Sequence, residues 1–159
     1  MEFESVKNPP LTSMHNKIKS YTLVIIQLIC IILIAFSGPF FPKNIFVLLI
    51  DASGAAIGLW AIVVMKVGRF NITPDIHPNS QLTSEGPYKY IRHPMYLSVL
   101  LFTLAWILNH ITVLRLIIWM VLIFDLMIKL KYEEKLLANR YKEYQDYQHR
   151  TKKLIPFIF

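Results

Sequence analysis

The polar residues of the chain gather in two short clusters, and each has the residue types of a binding site. The first reads Gly86-Pro87-Tyr88-Lys89-Tyr90-Ile91-Arg92-His93-Pro94-Met95-Tyr96. Pro94 suits the first turn of a helix, where its missing N–H costs nothing. Arg92 and His93 then stand at a helix N-terminus, whose free N–H groups favour a carboxylate or another anion. Tyr88, Tyr90 and Tyr96 add aromatic faces suited to an adenine ring or a sulfonium. A membrane-interface belt is also rich in Tyr, Arg and His, so at this level both readings stand.

The second cluster is Asp125, Lys129 and Glu133, spaced so that they share one helical face, with Glu134 beside them. Asp125 lies within an apolar block, where a charge is costly unless paired. Lys129, one turn away, is the expected partner. The plainer reading is a snorkelling lysine and a helix-end ion pair. Asp51, in another apolar block, is left without a role, and His110 reads as a turn residue.

Several familiar chemistries are missing. The chain has no G-x-x-x-x-G-K-[ST] phosphate loop, no G-x-G-x-x-G fingerprint, no H-E-x-x-H and no G-x-S-x-G elbow. Cys30 is the only cysteine, which excludes a disulfide framework and a cysteine-based zinc site, so no metal is expected. A nucleotide-like cofactor would need a site of another kind.

The elements that position these clusters are apolar and long. The 159 residues are 55% hydrophobic and 17% charged, with a mean hydropathy of +0.45. The apolar residues run in blocks and the charges sit between them, which predicts an all-α integral membrane bundle of about four transmembrane helices. The expected organisation is one membrane domain: an N-terminal segment (1–20), a two-span hairpin (21–65), a loop (66–94), a helical hairpin (95–128) and a cytosolic C-terminal segment carrying part of the site (129–159). The third block, from Met95 to Leu108, is short for a span unless tilted or extended. Gly54 and Gly58 form a G-x-x-x-G suited to close helix packing, within the chain or across a dimer seam.

Charge placement sets the topology. Lys7, Lys17, Lys19, Lys66, Arg69, Lys89, Arg92 and the eight basic residues from Lys129 to Lys153 fall on one side of a four-span arrangement. Lys43 falls on the other, with Arg115 near it. The positive-inside rule then puts both termini in the cytosol. A cleaved signal peptide ending at Ala35-Phe36-Ser37 is the weaker alternative, since the leading region is long. Nucleic acid is not an expected partner, because the basic residues flank apolar blocks and do not interleave with exposed aromatics.

Read together, the two clusters resemble the isoprenylcysteine carboxyl methyltransferase family and its relatives, the phospholipid N-methyltransferases. The resemblance covers roughly Leu82 to Phe159, and the first two spans carry no signature. It rests on Gly86-Pro87-Tyr88, Arg92-His93-Pro94-Met95-Tyr96, Glu133-Glu134 with Leu137, the tyrosines Tyr141, Tyr144 and Tyr147, and Arg150-Thr151-Lys152-Lys153-Leu154-Ile155-Pro156.

The resemblance implies S-adenosylmethionine as cofactor, held between the cytosolic helix ends and the C-terminal segment. Carried over by position, Tyr88, Arg92, His93, Pro94, Met95 and Tyr96 would line its pocket, with Ser80-Gln81-Leu82-Thr83 contributing from the loop and Glu133 in contact. The family often has an arginine where this chain has Lys129, which keeps the charge but loses the bidentate fork. A Phe-Gly pair common in the family is replaced by Tyr141-Lys142.

The implied reaction is methyl transfer to a lipophilic acceptor, such as a prenylated cysteine carboxylate, entering from membrane lipid. Lys129 would attract an anionic acceptor. An amine acceptor would need a base, with Glu134 the candidate. A phospholipid amine, a small thiol, a sterol-reductase-like enzyme using NADPH and a non-enzymatic scaffold are the competing readings.

Overall fold

The computed structural model describes residues 14–39, 41–65, 82–156 and 158–159. Gln81, Ser80 and the loop between the second and third apolar blocks, with Lys66 and Arg69, lie outside the described residues, as does Lys7. The described residues are all-helical, with no strand. The helices are α1 (Met14–Phe36), α2 (Ile45–Met65), α3 (Pro94–Asn109), α4 (Val113–Arg140) and α5 (Tyr144–Arg150), with a 3-10 turn over Gly86–Lys89.

Two of these helices, over Lys17–Phe36 and Ile45–Met65, are long and apolar enough to cross a bilayer. Their outward faces are apolar and exposed: Ile25, Ile29 and Ile32 on α1, Phe46, Leu49 and Val63 on α2. The outer face of α4 is the same, with Val113, Leu114, Ile117, Met120 and Phe124 exposed. Water does not tolerate so much contiguous apolar surface, whereas lipid does.

The third apolar block gains only Pro94 and Asn109 on becoming α3. At 16 residues it measures about 24 Å, short of a full span of about 30 Å. It is the inner helix, with Ser98, Thr103, Ala105 and Ile107 buried. α4 continues unbroken past residue 128 to Arg140. No proline or glycine interrupts that stretch, so the helix carries the second cluster rigidly out of the apolar zone.

Packing is pairwise, α2 on α3 and α1 on α4, with α3 touching both. The α2–α3 contact runs through the glycines. A Cβ on Gly54 would lie 3.1 Å from Leu101 Cβ and 3.2 Å from the Phe102 amide nitrogen, and one on Gly58 would strike Ser98. Ser98 Oγ donates to the Gly54 carbonyl at 2.7 Å. The core beside it joins Cys30 and Ile34 of α1, Ile107 of α3, and Leu122 and Leu126 of α4.

The far end is tied by Arg115, which is 1% exposed. Its guanidinium donates to the His110 carbonyl at 2.7 Å and to the Ile34 carbonyl at 2.8 Å. It thereby satisfies acceptors that a helix end and a turn leave open. Asn109 closes the same end by donating to the Pro39 and Phe41 carbonyls at 2.9 and 3.1 Å.

Candidate active site

The site loop is shaped by Gly86. Its φ of +55° lies in the left-handed region, and a Cβ there would lie 2.6 Å from Val64 and 3.1 Å from the Trp60 indole nitrogen. Only glycine allows that turn to press on the end of α2. The 3-10 turn that follows buries Pro87 and Tyr88. Pro94 then opens α3, as its chemistry predicts, and His93 is the N-cap.

His93 makes no side-chain cap hydrogen bond. Its imidazole instead faces the extended part of α4. Nδ1 is 3.4 Å from Glu133 Oε2 and Nε2 is 3.6 Å from Glu134 Oε1. The ring stacks on Tyr96, with centroids 5.3 Å apart and planes 2° from parallel. Tyr96 in turn donates its hydroxyl to Glu133 Oε2 at 2.9 Å. Neighbours on one α3 turn therefore converge on a single carboxylate oxygen.

Arg92 serves the other carboxylate. Its Nε donates to Glu134 Oε1 at 2.6 Å. Its Nη1 reaches past to the Thr151 carbonyl at 2.6 Å, Thr151 Oγ1 at 3.2 Å and the Gln148 carbonyl at 3.1 Å. One guanidinium thus fastens the α3 loop, α4 and the C-terminal segment together. The backbone repeats the join: Arg92 N–H donates to Lys152, His93 N–H to Lys153, and Lys152 N–H to Tyr90, at 2.8, 3.0 and 3.1 Å. A parallel bridge pairs Ile91 with Lys152. Tyr147 adds a 2.6 Å hydrogen bond to the Tyr88 carbonyl. The C-terminal segment is a latch on the loop.

The two glutamates differ in access. Side-chain exposure is 31% for Glu133 and 11% for Glu134, so Glu133 is the carboxylate with an open side. Burial alone would pull the His93 pKa down, but both glutamates hold it above the ordinary histidine value. Burial would raise Glu134, but His93 and Arg92 together hold it below the usual carboxylate value. Burial, and then the nearby carboxylates, push the Tyr88 and Tyr144 phenols up. Among the described residues, the hydroxyls of Tyr88 and Tyr144 and Nε2 of His93 are buried without a hydrogen-bond partner.

The structure brings together Tyr88, Arg92, His93, Tyr96, Glu133 and Glu134. Pro94 is buried and Met95 half-buried at the head of α3, and Leu82 is half-buried in the loop. Lys129 corrects one expectation. It forms no ion pair with Asp125, whose carboxylate oxygens both lack hydrogen-bond partners among the described residues. Its ammonium donates instead to Gln27 of α1 and lies 5.4 Å from the Tyr96 ring centroid.

Gln27 and Thr151 were not singled out in the sequence. Gln27 had a signal, as the only side-chain amide in the first apolar block. Thr151 had none beyond its place in the tail pattern.

A family model for phospholipid methyltransferase matches residues 43–144, more than half of the chain. The match takes in α2, the site loop, α3 and all of α4. No curated protein matches the sequence.

Proposed function

The chain belongs to the phospholipid methyltransferase family, and from that premise we propose that it transfers a methyl group from S-adenosylmethionine to a lipid-borne acceptor at the membrane surface. The family and the apolar helices make it a membrane-associated protein of a methyltransferase kind. The observation that carries the finer reading is the pair Glu133–Glu134, gripped by Arg92, His93 and Tyr96 and latched by the C-terminal segment.

These residues fit the cofactor. A sulfonium and an α-amino group are cations, and Glu133 offers a partly open carboxylate beside the faces of His93 and Tyr96. The orphaned hydroxyls of Tyr88 and Tyr144 are partners for the polar atoms of a nucleoside. When bound, the cofactor supplies an electrophilic methyl group. The protein's task is to hold donor and acceptor in line and exclude water. His93 and Tyr96 fix the Glu133 carboxylate, and Arg92 fixes Glu134 and the latch over it. Glu134 therefore positions and is not the base, since Arg92 occupies it and its proton affinity is low. Lys129 draws an anionic part of the acceptor, be it a prenylcysteine carboxylate or a headgroup phosphate.

In this reading four helices cross the membrane, with the site and both termini on the cytosolic side. The short inner helix α3 crosses with its ends extended by the site loop and the Asn109 turn, packed against α2, α1 and α4. The acceptor enters from lipid and the cofactor from the cytosol.

Calorimetric titration of the detergent-solubilised protein with S-adenosylhomocysteine tests the proposal. The expected result is saturable binding, weakened about tenfold or more by His93→Ala and by Glu133→Ala, the loss of one charge-assisted contact. NADPH is expected not to bind. Absence of binding by folded protein at millimolar ligand would sink the proposal, and binding of NADPH alone would point to reductase chemistry.

A further inference from the structure

The C-terminal latch ends in residues that the site does not use. Beyond its last backbone bond to the loop, Ile155, Ile158 and Phe159 are 45%, 76% and 41% exposed. Their backbone is nonetheless closed on itself. The Leu154 and Ile155 N–H groups both donate to the Phe159 carbonyl at 2.8 Å, and the Phe159 N–H donates back to the Ile155 carbonyl at 3.1 Å. Leu154, where this turn begins, is buried. The turn therefore holds large apolar side chains in the open, which water disfavours.

The place of the turn and the charges around it identify what covers it. The Arg92 and His93 N–H groups bond to Lys152 and Lys153 just before Pro94 opens α3, so the turn stands where α3 enters its apolar run. Its exposed neighbours are basic and aromatic: Arg150 and Lys152 on the segment, Lys89 and Tyr90 on the loop. Lys153 lies over the Phe159 ring, 5.1 Å from its centroid. Asp146 and Glu85 are the acidic residues nearest in sequence. Apolar and aromatic side chains among lysines and arginines suit a bilayer interface, where the apolar groups sink below the headgroups and the cations meet phosphates. A second copy of this chain would bring the same cations against them.

We propose that Ile155, Ile158 and Phe159, with Lys152 and Lys153, dock the latch onto an anionic lipid surface, and that this docking holds the site closed. The coupling runs through the backbone. The carbonyls that accept from Arg92 and His93 belong to the two lysines, and Arg92 Nη1 reaches the Thr151 carbonyl beside them. A lipid surface that binds only the latched form shifts the chain toward it, which keeps Arg92 on Glu134. The effect on the cofactor rests on the methyl-transfer reading above, and the docking does not.

The test uses the full chain in nanodiscs of phosphatidylcholine, or of phosphatidylcholine mixed equally with phosphatidylglycerol. Hydrogen exchange at the Arg92, His93 and Lys152 amides reads the latch without any cofactor. Exchange is expected to be about tenfold or more slower in the anionic discs, since each lysine near a charged surface contributes about fivefold. Added salt is expected to shrink the difference. Lys152→Gln is expected to lower the ratio between the two lipids about fivefold. Ile158→Ser, at an exposed position, is expected to quicken exchange several-fold in the anionic discs. The S-adenosylhomocysteine Kd is expected to be lower in the anionic discs than in the neutral ones.

Equal exchange in the two discs, or a ratio untouched by Lys152→Gln, overturns the docking. Exchange that ignores lipid charge but slows with protein concentration in lipid-free detergent overturns it too, and assigns the face to a second copy. A Kd equal in the two discs overturns the coupling to the site. Slower exchange in anionic discs by protein that binds no S-adenosylhomocysteine in either overturns methyl transfer and leaves the docking standing.

Discussion

At the scale of single residues, the site is organised by which carboxylate each donor takes. Arg92 takes Glu134, while His93 and Tyr96 share one oxygen of Glu133 and leave that carboxylate partly open. The shifted proton affinities make this arrangement sensitive to pH in a defined direction. His93 has a folded-state pKa above its ordinary value of 6.5, so its contribution to stability is complete below that value and is lost as pH rises through the folded value. Glu134 sits below its ordinary 4.5, so its contribution is complete above that and is lost only in acid. The thermal midpoint of the detergent-solubilised protein is therefore expected to hold from about pH 5 to 6.5 and to fall on the alkaline side. His93→Gln is expected to flatten the alkaline limb and spare the acidic one, as melting curves across pH would show. An alkaline limb of the same size in the variant would mean that another group causes it. Most of these residues were legible in sequence, because Arg-His-Pro and Glu-Glu declare a helix start and a charged helix face. The partner of Lys129 was not, because helical spacing pairs residues along one helix and is blind to a donor or acceptor on another.

At the scale of elements, the bundle depends on how closely α2 approaches α3. Gly54 and Gly58 were read as a small-residue face with two possible uses, and α3 of the same chain fills it. Gly54→Leu is expected to destabilise the protein by about 1–3 kcal/mol, the usual cost of overpacking. Melting temperature beside sedimentation in detergent checks this. A lower midpoint with unchanged mass fits packing within the chain, whereas a fall in mass would assign the glycines to a dimer. The all-α class and the order of the four long helices followed from the apolar blocks, and α5 lies outside them. The α1–α4 pairing did not, because a helix facing lipid is apolar on every side and shows no stripe to mark its packed face. The latch was also hidden, since backbone hydrogen bonds between Arg92 or His93 and residues 152–153 leave no trace in residue type.

At the scale of the whole molecule, the proposed four-span arrangement makes a claim about sides. In a Cys30→Ser background, single cysteines replace the exposed Lys43 and Lys152. A membrane-impermeant maleimide is expected to reach Lys43→Cys and Lys152→Cys from opposite faces of sealed vesicles. Labelling of both from one face would remove the four-span proposal. The pairing of the first long helix with the last has a further consequence, for the order in which the molecule is made. Arg115 meets the Ile34 carbonyl across 81 residues and Lys129 meets Gln27 across 102. At cellular rates of synthesis α1 waits roughly ten seconds for α4. Throughout that interval the amide of Gln27 and the carbonyl at the end of α1 are without these partners. A chain that stops short of α4 never supplies them. The same contacts that complete the finished bundle thus mark an unfinished copy.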